Sequence, residues 1–418
     1  MGLDEESRLR ILMVNSFHYE RGGDCTYTFA LTRLLESKNH EVIPFATRHP
    51  RNLASEYETY FVESVDYNAL ETARSPGAGW RVLRRAIASG EARRAMERIL
   101  EDVRPDLAHF QGIHRHLTPS IIGPLNARGI PIVWTLHDYV PVCPNTHFYC
   151  RGEICEACRP GRFYRAFLRR CKRDSLGVSL AAAIEAYAHR WMRVYSRVDR
   201  FVAPSRFLAG KLAEHRFPSK NITAIPHFIE LDEFEHSTSD DGFALFAGRL
   251  AEEKGLRTLI RAKAILGRGE LLIVGDGPLK QELETTVSEQ KITGIRFLGL
   301  KSREEVRALA SRARCLLLPS IWFENFPFAV MESFALGKPI VASRIGAIPE
   351  LVSDGRDGLL ASPGDAEDLA DKLGRLLADK ELARQLGREG RAKAEREWSP
   401  EVHYRRLEAV YRVVMSDR

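Results

Sequence analysis

Short apolar runs of strand length recur along the chain, each ending in Gly, Pro, Ser or a polar loop. In the first half they are Leu9–Val14, His40–Ala46, Pro105–Phe110, Ile130–Leu136, Arg200–Ala203 and Ile222–Ile225. In the second half they are Phe243–Ala247, Leu271–Val274, Ile295–Leu298, Cys315–Leu318 and Ile340–Ala342. Between them lie segments of helical composition: Thr26–Leu35, Ala86–Val103 with Gly90 as a weak point, Leu180–Ser196, Phe207–Glu214 and Phe328–Leu336. Further helices are predicted after Pro278 and from Arg303. Residues 346–350 and 354–360 read as loops, and 51–101 is mixed in character before its helix. This alternation of strand, glycine turn and helix predicts an α/β chain of two doubly wound halves. The polar, irregular stretch Asp232–Gly242 lies near the junction between them.

Composition narrows the class. A chain of 418 residues with 44% hydrophobic and 28% charged residues fits a soluble globular protein of two domains. No run approaches the roughly 18 apolar residues of a membrane span. The opening MGLDEESRLR is polar and acidic, unlike a signal peptide, and lacks the hydroxyl residue a myristoylation signal needs at its position. A net charge of +6 gives a mild bias towards anionic partners.

Candidate chemistry centres on CLLLPSIWFENFPFAVMESFALGKPIVAS, residues 315–343. Glu324 stands in the loop after a strand, where ligands of open α/β sheets bind, and Glu332 lies in the following helix. Amides near Phe328 and Ala329 open that helix and suit an anion. Two carboxylates beside free amides fit a sugar phosphate; a solvated loop acid and a surface helix acid would be the plain alternative. Arg249 and Lys254 follow a strand and could neutralise a diphosphate, although surface salt bridges would explain each separately. Gly22-Gly23 before a helix permits close approach of a ligand, or simply a tight turn. His137 at a strand tip, with Asp138, could position a hydroxyl or serve as a cap. His109, Gln111, His114 and His116 cluster at another strand end and read as pocket wall rather than metal ligands.

One segment stands apart. Cys143, Cys150, Cys155, Cys158 and Cys171 have spacings that suit a structural zinc or an iron–sulfur cluster, with buried reduced thiols or a redox pair as the alternatives. Within it, residues 159–173 interleave seven cations with Phe163, Tyr164, Phe167 and Leu168 and contain no acid. Such a stretch suits an anionic membrane surface or acceptor, with nucleic acid binding or an ordinary solvated face as the alternatives.

Taken together, Gly22-Gly23, LHD at 136–138, PS at 204–205, AGRLAEEKG at 247–255, VGDGP at 274–278, FLG at 297–299, ENFPFAVME at 324–332 and GAIPELV at 346–352 resemble glycosyltransferase family 4. The motifs run in the family's order across nearly the whole chain. The resemblance implies the GT-B fold: two Rossmann-like domains facing across a cleft, with a final helix, Trp398–Met415, crossing back to the first domain. The implied division is an acceptor-side domain, 1–228, carrying the insertion at about 143–173. A donor-binding domain, 229–397, and the returning segment 398–418 follow. The implied activity is retaining transfer of a sugar from a UDP- or GDP-type nucleotide sugar to a glycan, lipid-linked or small hydroxyl acceptor. It needs no cofactor or metal at the transfer step, and no nucleic acid partner is expected. By the resemblance Arg249 and Lys254 bind the diphosphate, Glu324 the donor sugar and Glu332 the ribose. His137 lies against the sugar, and Gly22 and Gly23 admit the phosphates. Gly275, Asp276 and Gly277 belong to the donor site, and the backbone at Lys301 meets the base. Asn325, Phe326, Pro327, Phe328 and Ala329 line phosphate or sugar. The expected location is the cytoplasm, peripherally at the inner membrane face if the basic segment binds lipid. An epimerase or phosphorylase, or a non-catalytic binding protein, would be the competing readings. The sequence departs from the family at His227-Phe228, where Asn-Gly is usual.

Overall fold

The computed structural model describes residues 8–64, 76–217, 221–237 and 239–417. The expectation drawn from the first seven residues lies outside them. The chain forms two compact units. The first comprises residues up to Cys150, Cys155–Pro226 and His403 onward; the second comprises Arg151–Ile154 and His227–Val402.

The first unit is built on a parallel sheet of β1 (Arg10–Val14), β2 (Glu41–Phe45), β3 (Leu107–Phe110), β4 (Ile132–Thr135), β5 (Arg200–Ala203) and β6 (Ile222–Ala224). Its order is β6-β5-β4-β3-β1-β2. Every residue of β3 and β4 is buried. Helices cover both faces of a parallel sheet, so its strands are continuous apolar runs rather than alternating ones. Trp134 of β4 is enclosed by Phe110, Tyr195 and Phe201, and its indole N–H donates to the Gln111 carbonyl at 2.8 Å.

The final helix, Pro400–Ser416, supplies buried polar partners to this sheet. Tyr411 Oη lies 2.6 Å from His109 Nδ1, and His403 Nε2 lies 3.0 Å from Tyr27 Oη. His109 is therefore a satisfied core residue, and its Nε2 pairs with Thr135 at 2.8 Å. His114 likewise pairs with Tyr195 inside the unit. The pocket-wall reading of the histidines fails for these two.

The second unit repeats the plan with β7 (Phe243–Ala247), β8 (Glu270–Val274), β9 (Ile295–Gly299), β10 (Cys315–Leu318), β11 (Ile340–Ser343) and β12 (Gly358–Ala361). The order is β9-β8-β7-β10-β11-β12, all parallel. Phe246, Ile273, Leu317 and Val341 of the strands pack with Leu259, Leu373 and Leu386 of the helices. In both sheets the chain steps outward from a central strand, first to one side and then to the other. Adjacent strands there, β1 with β3 and β7 with β10, leave a crevice beyond their carboxyl ends.

Three expectations are corrected. The single helix predicted over 86–103 is two, Pro76–Ile87 and Gly90–Asp102. The Ser89 side chain accepts the Ala92 N–H and restarts the helix at an N-cap. The stretches read as loops contain a short helix, Ile348–Leu351, and the edge strand β12. The helix predicted over 180–196 runs over Leu176–Trp191, capped by Ser175. No helix among the described residues is long and apolar enough to cross a membrane.

Candidate active site

The loops after β7 and β10 meet at the crevice of the second sheet. The turn Glu252–Lys254 ends at Gly255, whose φ is +71°. A Cβ there would stand 1.8 Å from the Pro319 carbonyl oxygen. Only glycine lets this turn rest on the end of β10, and the Ile321 N–H fixes it by donating to the Glu253 carbonyl at 2.9 Å. The turn thereby carries Lys254 Nζ to 2.7 Å from Glu324 Oε1. The same oxygen accepts from Ser320 Oγ at 2.7 Å and Trp322 Nε1 at 2.9 Å. Gly346, at φ +61°, touches this loop from behind: its Cβ would lie 2.5 Å from the Glu324 carbonyl oxygen. The Ala347 N–H donates to that oxygen at 2.8 Å.

Glu324 is 5% exposed. Burial alone would push its carboxyl up; the Lys254 ammonium and the donors Ser320 and Trp322 outweigh burial and hold it below the ordinary carboxylate value. The result is a fixed ionised carboxylate beside an ammonium that has spent one of three N–H donors on it. The two groups, assigned separate partners by sequence reasoning, form one hydrogen-bonded pair.

The other residues of the set are arranged differently. Arg249 is exposed and ion-paired to Glu253, a residue sequence reasoning left out. Glu332 is half-buried. Burial pushes its carboxyl up, against the pull of Arg303 and Arg307. Gly275 has φ +135°, and a Cβ on it would lie 1.9 Å from the Gly248 carbonyl oxygen. The β7 and β8 loops are thus laid against one another, with the Leu250 N–H donating to the Asp276 carbonyl at 2.9 Å and the Gly277 N–H to Asp276 Oδ1 at 2.8 Å. The Lys301 side chain reaches Glu305 at 2.8 Å on the surface, so only its backbone is left to the role assigned to it. Asn325, Phe326 and Pro327 lead into the helix Phe328–Ala335, whose N-terminus has no side-chain cap. The first-turn amides of Phe328 and Ala329 have no intrahelical partner.

His227 is the residue that sequence reasoning set aside as a departure. It is buried, its ring stacks on Phe328 at 5.6 Å, and it meets Phe326 edge-on at 5.4 Å. An aromatic ring here braces the start of that helix. The only sequence signal was its place beside the interdomain proline.

In the first unit, Gly22 is the N-cap of the helix Gly23–Ser37, in the extended conformation. The adjoining loop is held by Asn15, whose side-chain oxygen accepts the Gly112 N–H at 3.1 Å across the β1–β3 crevice. His137 leaves the tip of β4, and its Nε2 pairs with Gln111 Oε1 at 2.7 Å. With the amide so oriented, Nε2 carries the proton. The orienting partner is therefore Gln111; Asp138 instead accepts the Val140 N–H and closes its own turn. Burial lowers the His137 pKa to about 4, against a partial upward pull from Asp24, so the imidazole is neutral near pH 7.

Burial likewise lowers His109 to about 3, and His116 and His403 to about 4. An unfolded histidine titrates near 6.5. The unfolded chain therefore binds more protons below that pH, and stability falls as pH falls from about 6.5 towards 4. The urea midpoint should drop measurably between pH 7 and pH 5; a midpoint constant over that interval would contradict the buried neutral histidines.

The metal reading of the cysteine segment is unsupported. None of the five thiols forms a disulfide, and no group of three or more His, Cys, Asp or Glu among the described residues is arranged to hold a metal ion. Cys158 and Cys171 pack with Phe163, Ala166, Ala183 and Ala186. Burial, then neighbouring thiols, pushes Cys171 up to about 12. Cys155 Sγ accepts from Arg169 Nη1 at 2.9 Å.

Comparison with known proteins agrees with this geometry. The family model described as Glycosyltransferase Family 4 matches residues 21–233, and that described as Glycosyl transferases group 1 matches 228–393. An uncharacterized glycosyltransferase of Methanocaldococcus jannaschii is 32% identical over 46% of this chain and 54% of its own. The amylovoran biosynthesis glycosyltransferase AmsK of Erwinia amylovora is 30% identical over 55% of this chain and 60% of its own. The chain thus spans little more than half the length of these curated relatives. Among solved structures, sucrose-phosphate synthase of Thermosynechococcus elongatus superposes with a TM-score of 0.70 at 20% identity, covering 98% of this chain and 100% of that one. HepE of Anabaena, solved in complex with UDP-glucose, gives 0.59 at 16% identity over 97% of this chain and 99% of that one. These likenesses identify the fold as GT-B.

Proposed function

Because the chain belongs to glycosyltransferase family 4, we propose that it moves a sugar from a nucleotide-diphosphate sugar to a hydroxyl acceptor. Transfer retains anomeric configuration and uses no metal ion at that step. The second unit holds the donor and the first presents the acceptor. The observation that carries this reading is the Lys254–Glu324 pair, anchored by Ser320 and Trp322 in the crevice between β7 and β10.

Cleavage at the anomeric carbon builds negative charge on the departing diphosphate. Lys254 has two N–H donors left for it, already oriented by the bond to Glu324. The Arg249–Glu253 contact is an exposed pair of little energetic worth, so a diphosphate displaces Glu253 readily. The first-turn amides of Phe328 and Ala329 add fixed dipoles. Charge stabilised more in the transition state than in the ground state is what accelerates the step. The leaving phosphate can take the acceptor's proton. Glu324 binds sugar hydroxyls and Glu332 the ribose, while the Lys301 backbone meets the base. Neutral His137, its Nε2–H held by Gln111, lies against the sugar.

UDP-type donors are the first choice, since HepE is recorded with UDP-glucose; GDP-type donors are the second. The acceptor is a glycan or a lipid-linked molecule. The protein is placed in the cytoplasm, with residues 159–173 against an anionic membrane surface.

The test is incubation of purified protein with a panel of radiolabelled nucleotide sugars and hydroxyl acceptors, with the anomeric proton of the product read by NMR. Label on the acceptor, with the donor's anomeric configuration, is the expected result. Label recovered as an epimeric nucleotide sugar or as a sugar phosphate would assign an epimerase or phosphorylase instead. Saturable donor binding with no turnover would leave a binding protein.

A further inference from the structure

The helix Leu176–Trp191 is built inside out. Its buried face, Ser179, Ala182, Ala183, Glu185 and His189, carries no large apolar side chain. Its large apolar residues point outward: Leu176, Leu180, Ile184, Tyr187 and Trp191 are exposed, Trp191 to 89%. Their spacing of four, four, three and four residues sets them in one stripe. At 1.5 Å per residue the stripe runs about 22 Å. A surface helix ordinarily turns such residues to the core. A contiguous exposed apolar stripe marks a surface that is covered by something else.

The neighbouring elements extend it. The short helix Tyr164–Leu168 packs alongside, with the Tyr164 N–H donating to Tyr187 Oη at 3.3 Å. It exposes Tyr164 and Leu168, the latter to 65%. On another side the helix Pro76–Ile87 packs against the stripe-bearing helix and exposes Trp80. Around these residues the charge is one-sided. Residues 159–197 hold ten Lys and Arg against two acids, Asp174 and Glu185, and Glu185 is buried. Arg115, Lys172 and Arg173 line a small cleft of about 40 Å³ beside the same helix.

We propose that the stripe of Leu176–Trp191, with the Arg-rich segment 159–173 beside it, docks the first unit on an anionic lipid bilayer. The apolar side chains enter the interfacial layer while the guanidinium groups pair with phosphate headgroups. Charge decides between occupants. Two copies of this face would set one basic segment against another, so self-association is disfavoured. A nucleic acid would satisfy the cations and leave the aliphatic stripe in water. The inference rests on the membrane contact proposed above for residues 159–173 and adds the stripe to it; it uses no residue of the donor site, so its failure is distinguishable from failure of the transferase reading.

The experiment is co-sedimentation of the full chain with large vesicles of phosphatidylcholine alone, or with about one third phosphatidylglycerol, at low and high salt. We expect the anionic vesicles to bind about tenfold more protein, salt to weaken binding, and emission lost in Trp191→Phe to be the part that shifts blue. The pair Leu180→Glu with Ile184→Glu should lose about tenfold in vesicle affinity or more while melting as the parent does, since both sites are exposed. Arg162→Ser with Arg170→Ser tests the charge half without touching the stripe and should remove the preference for anionic lipid. Equal sedimentation with both vesicle types, or undiminished binding by either pair, would overturn the proposal. A dimer in sedimentation equilibrium that Leu180→Glu dissolves would overturn it too, giving the face to a second copy.

Discussion

Replacing Lys254 with alanine lowers sugar transfer about a hundredfold to a thousandfold, the loss typical of removing one preorganised stabiliser of developing charge. It also weakens the fold. Glu324 is buried and keeps Ser320 and Trp322 as donors, but its ion-pair partner Lys254 is gone. Breaking a buried pair from one side costs about 3–5 kcal/mol; with Lys254 partly exposed, roughly 2–4 kcal/mol is expected. The pH dependence supplies the sharper readout. In the parent protein the folded Glu324 pKa lies below the unfolded value, about 4.3. The pair's contribution is complete above that value and is lost as pH falls through the lower folded pKa. In Lys254→Ala, burial acts with less opposition and the folded pKa rises. Relative to the parent, the variant therefore loses stability as pH rises from 5 to 8. Urea midpoints at those two pH values measure this, and a constant difference between variant and parent would show that Lys254 does not hold Glu324 ionised.

Gly255→Ala has the second largest effect, and it reaches the same pair through the backbone. The substitution meets two costs: a residue at φ +71°, and a Cβ placed 1.8 Å from a carbonyl oxygen of another loop. The first is about 1 kcal/mol. The second forces the Glu252–Gly255 turn away from Pro319 and brings the total to roughly 3 kcal/mol or more. Gly267→Ala separates the two costs. Gly267 has φ +66°, and its Cβ would meet nothing within 4 Å. It should cost about 1 kcal/mol and leave transfer intact, whereas Gly255→Ala should lower transfer about tenfold or more, because Lys254 rides on the displaced turn. Equal stability and equal activity in the two variants would show that the turn does not position Lys254.

Much of the second unit is legible in the sequence because parallel strands announce themselves as unbroken apolar runs. Phe243–Ala247 and Cys315–Leu318 coincide with their predicted limits. β12 is missed for a physical reason. It opens at Gly358, preceded by a turn-forming Asp-Gly-Arg-Asp, and so reads as loop. The glycine is there because a Cβ would lie 2.7 Å from the Ile340 carbonyl oxygen of the neighbouring strand. The site is legible as a set of residue types at strand ends, and less so as a set of contacts. Lys254 and Glu324 are 70 residues apart, and no local pattern says that one is bonded to the other. The partner of Arg249, Glu253, escapes notice because an ordinary acid in a turn carries no signal, and Gln111, though noted at its strand end, carries none that ties it to His137. The cysteine spacing, conversely, promises more than the fold delivers: the thiols neighbour one another, yet no three of them among the described residues are arranged as metal ligands. The apolar stripe of Leu176–Trp191 has helical periodicity that reads as a core face, and only the packed structure shows which side is in.

The central claim is that the Lys254–Glu324 pair and its loops receive a nucleotide diphosphate sugar. Titration calorimetry of UDP and of GDP into the parent protein and Lys254→Ala tests it most directly. One of the two nucleotides should bind the parent at a single site, and the variant should bind it at least about tenfold more weakly. Binding of neither nucleotide, or equal affinity in the variant, would contradict the account.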